Sequence, residues 1–121
     1  MRYVMYRADR VIRPVTGLPV EAILPGSGWC DDPASRHYNR PVQLPCPHSH
    51  EKLWRDDHLY DLVVVLGHND APPVAGKGSA IFMHLRAPGG TATQGCIALQ
   101  QNHLRHVLSR SGPETILHIR S

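Results

Sequence analysis

The sequence predicts a small, mostly β domain, a strand-rich α+β fold, with one main helix near its C-terminal end. Three observations predict it. Leu62-Val63-Val64-Val65-Leu66 is a continuous apolar, β-branched run of the kind a buried central strand needs. Ser79–Leu85 is a second apolar run, and Leu104, Val107 and Leu108 recur at i, i+3 and i+4 on a stretch long enough for an amphipathic helix. At 121 residues the chain makes one domain with a single sizeable core and shows no internal repeat.

In chain order, Arg2–Arg7 carries Tyr3, Val4, Met5 and Tyr6 and reads as a strand, which Val11-Ile12-Arg13 could extend. Between Pro14 and Pro47 stand seven of the eleven prolines. Proline lacks the N–H that a helix interior or a central strand requires, so this stretch reads as a long ordered loop with short extended pieces. Trp29, Tyr38, Val42 and Leu44 within it argue that it packs, as a wall or lid would. Glu51–Tyr60 reads as a short helix or turn, Leu62–Gly67 as the central strand, and Asp70–Gly78 as a loop. Ser79–Leu85 follows as a strand and Arg86–Gly95 as a glycine- and proline-containing loop. Cys96–Leu99 is a short apolar segment, and Gln100–Arg110 is the helix, ended by Gly112-Pro113. Thr115–Ile119 closes as a strand.

Composition narrows the function classes. The hydrophobic share of 41% with 19% charged residues is that of a globular domain rather than a disordered one. The longest apolar run is far short of a membrane span, and the first twenty residues lack the apolar block of a signal peptide. The formal charge is +3, but the basic residues are scattered and only one Phe is present for base stacking. That distribution argues against nucleic acid and leaves an anionic polymer such as cell wall as a partner. Three cysteines do not make an even disulfide framework. A Cys30–Cys46 bridge would leave Cys96 over.

Chemistry-bearing residues converge on 79–99. His84 ends an apolar strand, and Cys96 follows a glycine-rich loop that closes with Thr93-Gln94-Gly95. A cysteine nucleophile acts as the thiolate, and a histidine within hydrogen-bond reach generates it near neutral pH. Glycine just before it lets successive backbone N–H groups of Gly95 and Cys96 turn toward a developing oxyanion. A buried packing cysteine fits these residues as well as a nucleophile does.

The segment GSAIFMH…TQGCIAL resembles the catalytic segment of the L,D-transpeptidase (YkuD-like) family. There a histidine ends a strand and a Ser/Thr-His-Gly-Cys motif follows a loop. His84, Thr93, Gly95, Cys96 and Ile97 match that pattern. SGWCDDP at 27–33, YNRPV at 38–42 and LYDLVVVLGHND at 59–70 resemble a subgroup of small bacterial members, so the likeness runs from about Tyr3 to Ile119. Gln94 stands where the family has histidine, Ala98 where it usually has a polar or basic residue, and the His84–Cys96 spacing is shorter. These departures leave donor and acceptor specificity open.

The resemblance implies a β-sandwich and a cysteine-dependent L,D-transpeptidase acting on peptidoglycan stem peptides. Cys96 is then the nucleophile, His84 the base, Gly95 and Cys96 the oxyanion donors, and Gln94 and Thr93 substrate-side groups, with no metal or cofactor. It also implies strands upstream of Tyr3, so that 1–121 is one N-terminally truncated catalytic domain, and a periplasmic or cell-envelope location. An L,D-carboxypeptidase or other hydrolase on the same scaffold, and a non-catalytic wall- or zinc-binding module, are the alternatives. His68 and Asn69 follow the central strand and read either as substrate or structural hydrogen-bonding groups or as a solvated turn. Trp29-Cys30-Asp31-Asp32 reads as packing with an aspartate capping a turn, against a substrate-wall role. Cys46, His48 and His50 alternate as zinc ligands could, but a fourth ligand would have to come from Cys30 or farther. His103 and His106 read as surface groups.

Overall fold

In the computed structural model, which describes residues 1–86 and 97–118, eight short strands form two sheets and one helix packs on the larger sheet. The strands are β1 (Tyr3–Tyr6), β2 (Val20–Ala22), β3 (Ser27–Cys30), β4 (Pro41–Gln43), β5 (His50–Lys52), β6 (Leu62–Val65), β7 (Phe82–Leu85) and β8 (Ile97–Leu99). The helix α1 spans Gln101–Ser109. The strand-rich α+β class expected from the sequence is therefore the one observed. No helix among the described residues is long and apolar enough to cross a membrane.

The larger sheet runs β2-β1-β6-β7-β8. Its centre, β6, pairs antiparallel with β1 and β7, while β1–β2 and β7–β8 are parallel. Strand alternation divides its side chains. Val4, Leu62, Val64, Met83 and Leu85 meet Leu104 and Leu108 of α1 on one face. Met5, Val63, Val65 and Phe82 face Trp29, Leu53 and Tyr60 on the other. Both faces are covered, which is why 62–65 is apolar without alternation. The helix has no side-chain N-cap bond and no acidic residue in its first turn. Its place therefore depends on burying Leu104 and Leu108.

The smaller sheet, β4-β3-β5, is built from the proline-rich stretch and its continuation. The short extended pieces expected within the ordered loop of 14–47 are β2, β3 and β4, and they pair into sheets. Pro41 is tolerated because β4 is an edge strand. Gly28 lets Leu44 fold over β3, since a Cβ there would lie 2.8 Å from Leu44 Cδ2. Glu51–Tyr60 is not a helix: it opens as β5 and continues as turns. Residues 11–13 do not extend β1. Ser79–Ile81 precede β7 without joining it, because Ala80 adopts φ 57°, which breaks the extended geometry. Thr115–His118 is not a strand, and Ile116 is 85% exposed there. The alternating pattern is present, with Thr115 and Leu117 half-buried, but the segment pairs with no strand among the described residues.

Phe82 joins the layers. It is buried on β7, edge-on to Trp29 at 5.1 Å and to Tyr60 at 5.9 Å between ring centroids. Phe82→Ala is expected to cost about 3–5 kcal/mol, read as a lower urea midpoint with an unchanged denaturant slope. A loss below about 1 kcal/mol would contradict this packing.

Candidate active site

His84 lies on β7 between Val63 of β6 and Ala98 of β8. It is 3% exposed, so its ring polar atoms need partners inside the protein. Its Nδ1 lies 2.7 Å from the backbone oxygen of Leu85. A carbonyl only accepts, so Nδ1 carries the proton and Nε2 is the nitrogen able to take one. A backbone carbonyl thus does the orienting for which no acidic residue stands close by in sequence.

The ring of Tyr60 packs against that imidazole, with centroids 5.3 Å apart and planes at 64°. The Tyr60 hydroxyl donates to Glu51 Oε1 on β5, whose register with Trp29 turns Glu51 toward the interior. The Arg55 guanidinium sits 5.1 Å from the Tyr60 ring centroid and grips Asp57 through two nitrogens. That grip holds the Asp57 carboxyl below the usual carboxylate range. Leu59 accepts a backbone hydrogen bond from Leu85, which brings the 54–60 segment alongside the end of β7. Neither Tyr60 nor Glu51 was evident as a site residue in the sequence. Their contact depends on the pairing of β5 with β3, which local pattern does not reveal.

Thr93, Gln94, Gly95 and Cys96 lie outside the described residues. What is described is their C-terminal neighbour: Ile97 opens β8, in register with Met83, and Ala98 is the partner of His84. Cys96 is joined by a peptide bond to Ile97 and stands two residues before Ala98.

His68 and Asn69 serve a loop. His68 Nε2 donates to Lys77 O at 3.0 Å. Asn69, at φ 53°, donates to Val74 O and Gly78 O and accepts from Val74 N. These bonds shape 67–80, and the exposed His68 ring also lines a cavity of about 410 Å3 with Arg2, Leu66, Ile81 and Ile116. Of the readings open for these two residues, hydrogen bonding that orders the loop is what the geometry displays.

The residue that secures this loop is Asn39. It is 4% exposed and left-handed at φ 58°, a conformation Asn tolerates better than most residues. Its Oδ1 accepts from the Trp29 indole at 3.1 Å and from Ala80 N at 3.3 Å. Its Nδ2 donates to His68 O at 2.9 Å and Asn69 O at 2.7 Å. All four hydrogen-bonding positions of the amide are used. The Y-N-R-P string does not disclose this role, because partners twenty-nine to forty-one residues away are not readable from it.

The other sequence candidates separate. Trp29 is core, and Asp32 accepts from Ala34 N to close a turn, as the packing reading expected. Cys30 is buried, Cys46 is half-buried, and both are free thiols, so the bridge weighed between them is not formed. His50 Nδ1 bonds His48 O, and His48 faces Asp32 at 3.5 Å. Among the described residues no group of three His, Cys, Asp or Glu side chains is placed to hold a metal ion. His103 and His106 are exposed.

Comparison with protein-family models, with curated proteins and with solved structures finds no match for the chain.

Asn39→Ala would take its acceptor from the buried Trp29 indole and place alanine at positive φ. The expected loss is about 3 kcal/mol in urea unfolding, from an unsatisfied buried donor and a strained backbone. A variant within about 0.5 kcal/mol of the parent would contradict the clamp.

Proposed function

We propose that the chain is a cysteine-dependent L,D-transpeptidase that works on peptidoglycan stem peptides through a thioester acyl-enzyme. The observation that carries this reading is the parallel register of β7 and β8. It sets His84, with Nδ1 committed to Leu85 O, beside the strand whose preceding residue is Cys96. A buried imidazole with one nitrogen tied to a carbonyl has the form of a general base held in one tautomer. The resemblance of GSAIFMH…TQGCIAL to the family's catalytic segment supplies the nucleophile.

The chemistry then runs as acyl transfer. His84 Nε2 takes the thiol proton of Cys96, and the sulfur attacks the carbonyl carbon of the L,D peptide bond. The tetrahedral intermediate collapses with loss of the D-amino acid, whose amine leaves with the proton from His84. The thioester that remains is attacked by an acceptor amine, His84 again removing a proton, and the thiol is regenerated. Backbone N–H groups of Gly95 and Cys96 are the proposed oxyanion donors, and each is worth about 3–4 kcal/mol in such a site. Thr93 and Gln94 are the proposed substrate-side groups. The reading needs no metal or cofactor, and its substrate places the protein in the cell envelope.

The test is covalent capture. A carbapenem is expected to add one molecule per chain by intact mass, and Cys96→Ala is expected to abolish the adduct while Cys30 and Cys46 remain. His84→Ala should slow the addition by about a hundred-fold or more. A folded protein that forms no adduct, or forms it equally in Cys96→Ala, overturns the reading. Products from a tetrapeptide donor with and without acceptor amine then separate transfer from hydrolysis.

A further inference from the structure

Tyr60 is the one ionisable side chain among the described residues seen in ring contact with His84, and it is tied down at its far end. Its ring is 5% exposed, meets the imidazole at 5.3 Å and Phe82 at 5.9 Å, and its hydroxyl donates to Glu51. Leu85 O fixes one atom of His84, and a single hydrogen bond does not by itself define the plane of a ring. A second restraint on the ring face is needed to aim Nε2, and the Tyr60 ring is where such a restraint would act. Glu51 belongs to the smaller sheet and His84 to the larger, so the hydroxyl bond sets the ring's position from the opposite layer. Packing alone would be met by any aromatic ring. A phenol whose hydroxyl is spent on a carboxylate from the other sheet is a more specific arrangement.

We infer that Tyr60, anchored by Glu51, is a positioning residue that orients the His84 imidazole for proton transfer. The inference rests on the acyl-transfer reading for its catalytic consequence, but the orientation itself is a property of the resting protein. The side chain moves no proton in this account; it acts through His84. Misplacing a catalytic group by about 1 Å can cost up to about a hundred-fold in rate, so loss of this restraint is expected to cost about ten-fold.

The experiment pairs a rate with a spectroscopic signal on the full chain. Tyr60→Phe keeps the ring and removes the hydroxyl, Glu51→Ala removes the anchor, and Glu51→Gln keeps an acceptor oxygen. The limiting rate of Cys96 acylation by a carbapenem is expected to fall about ten-fold in Tyr60→Phe and in Glu51→Ala, with the half-saturating concentration unchanged. Glu51→Gln should recover most of that loss. The Nδ1–H proton resonance of His84 should be displaced or broadened in the first two variants and return toward the parent in Glu51→Gln. Folded Tyr60→Phe and Glu51→Ala proteins with the parent's rate and the parent's His84 resonance would overturn the inference. If the parent itself is not acylated, the acyl-transfer reading falls, and the resonance alone decides orientation: displaced in Tyr60→Phe it supports the role of Tyr60, unmoved it refutes it.

Discussion

A histidine in a strand covered on both faces must be satisfied where water cannot reach it, and the placement of His84 follows from that constraint. At 3% exposure an unpaired ring nitrogen would be costly, by about 1–3 kcal/mol. The Leu85 carbonyl removes that cost on one side and in doing so selects the tautomer. The Tyr60 ring, itself edge-on to Phe82, packs against the imidazole. On the β8 side the register partner is Ala98, which adds only a methyl group. Burial, tautomer and aromatic contact are thus one solution to one problem. The same solution makes Nε2 the nitrogen that can accept a proton.

The second sheet exists to complete that environment. β3 carries Trp29 into the core against Phe82, and β5 carries Glu51 to the Tyr60 hydroxyl. Asn39 then links this layer to the 67–80 loop through both ends of its amide. Ser79 Oγ donating to Cys30 O and Gly78 N donating to the Tyr38 hydroxyl add further ties between the same two segments. Their residues at positive φ, Asn39, Asn69 and Ala80, are held there by partners that any rearrangement would give up.

What could be read from the sequence was what depends on near neighbours. The β-branched run 62–66 announced β6, and the spacing of Leu104 and Leu108 announced α1, because burial on two faces and on one stripe leave different signatures. His84 was visible as the polar residue of an apolar strand. The small sheet was not visible: its strands are three or four residues long, two of them include or follow prolines, and only pairing with one another makes them strands. Asn39, Tyr60 and Glu51 escaped for the same reason, since each matters through a partner distant in the chain. The 115–118 segment shows the reverse error, a strand-like pattern that pairs with no strand among the described residues.

The pairing of His84 with Cys96 is the central claim, and the pH dependence of Cys96 alkylation by iodoacetamide tests it most directly. In the parent, Cys96 is predicted to react as a thiolate with a midpoint below the ordinary thiol value of about 8.5, and His84→Gln to move that midpoint up to about 8.5 with slower reaction at pH 7. Alkylation of Cys96 with the same midpoint and the same rate in both proteins would contradict the account.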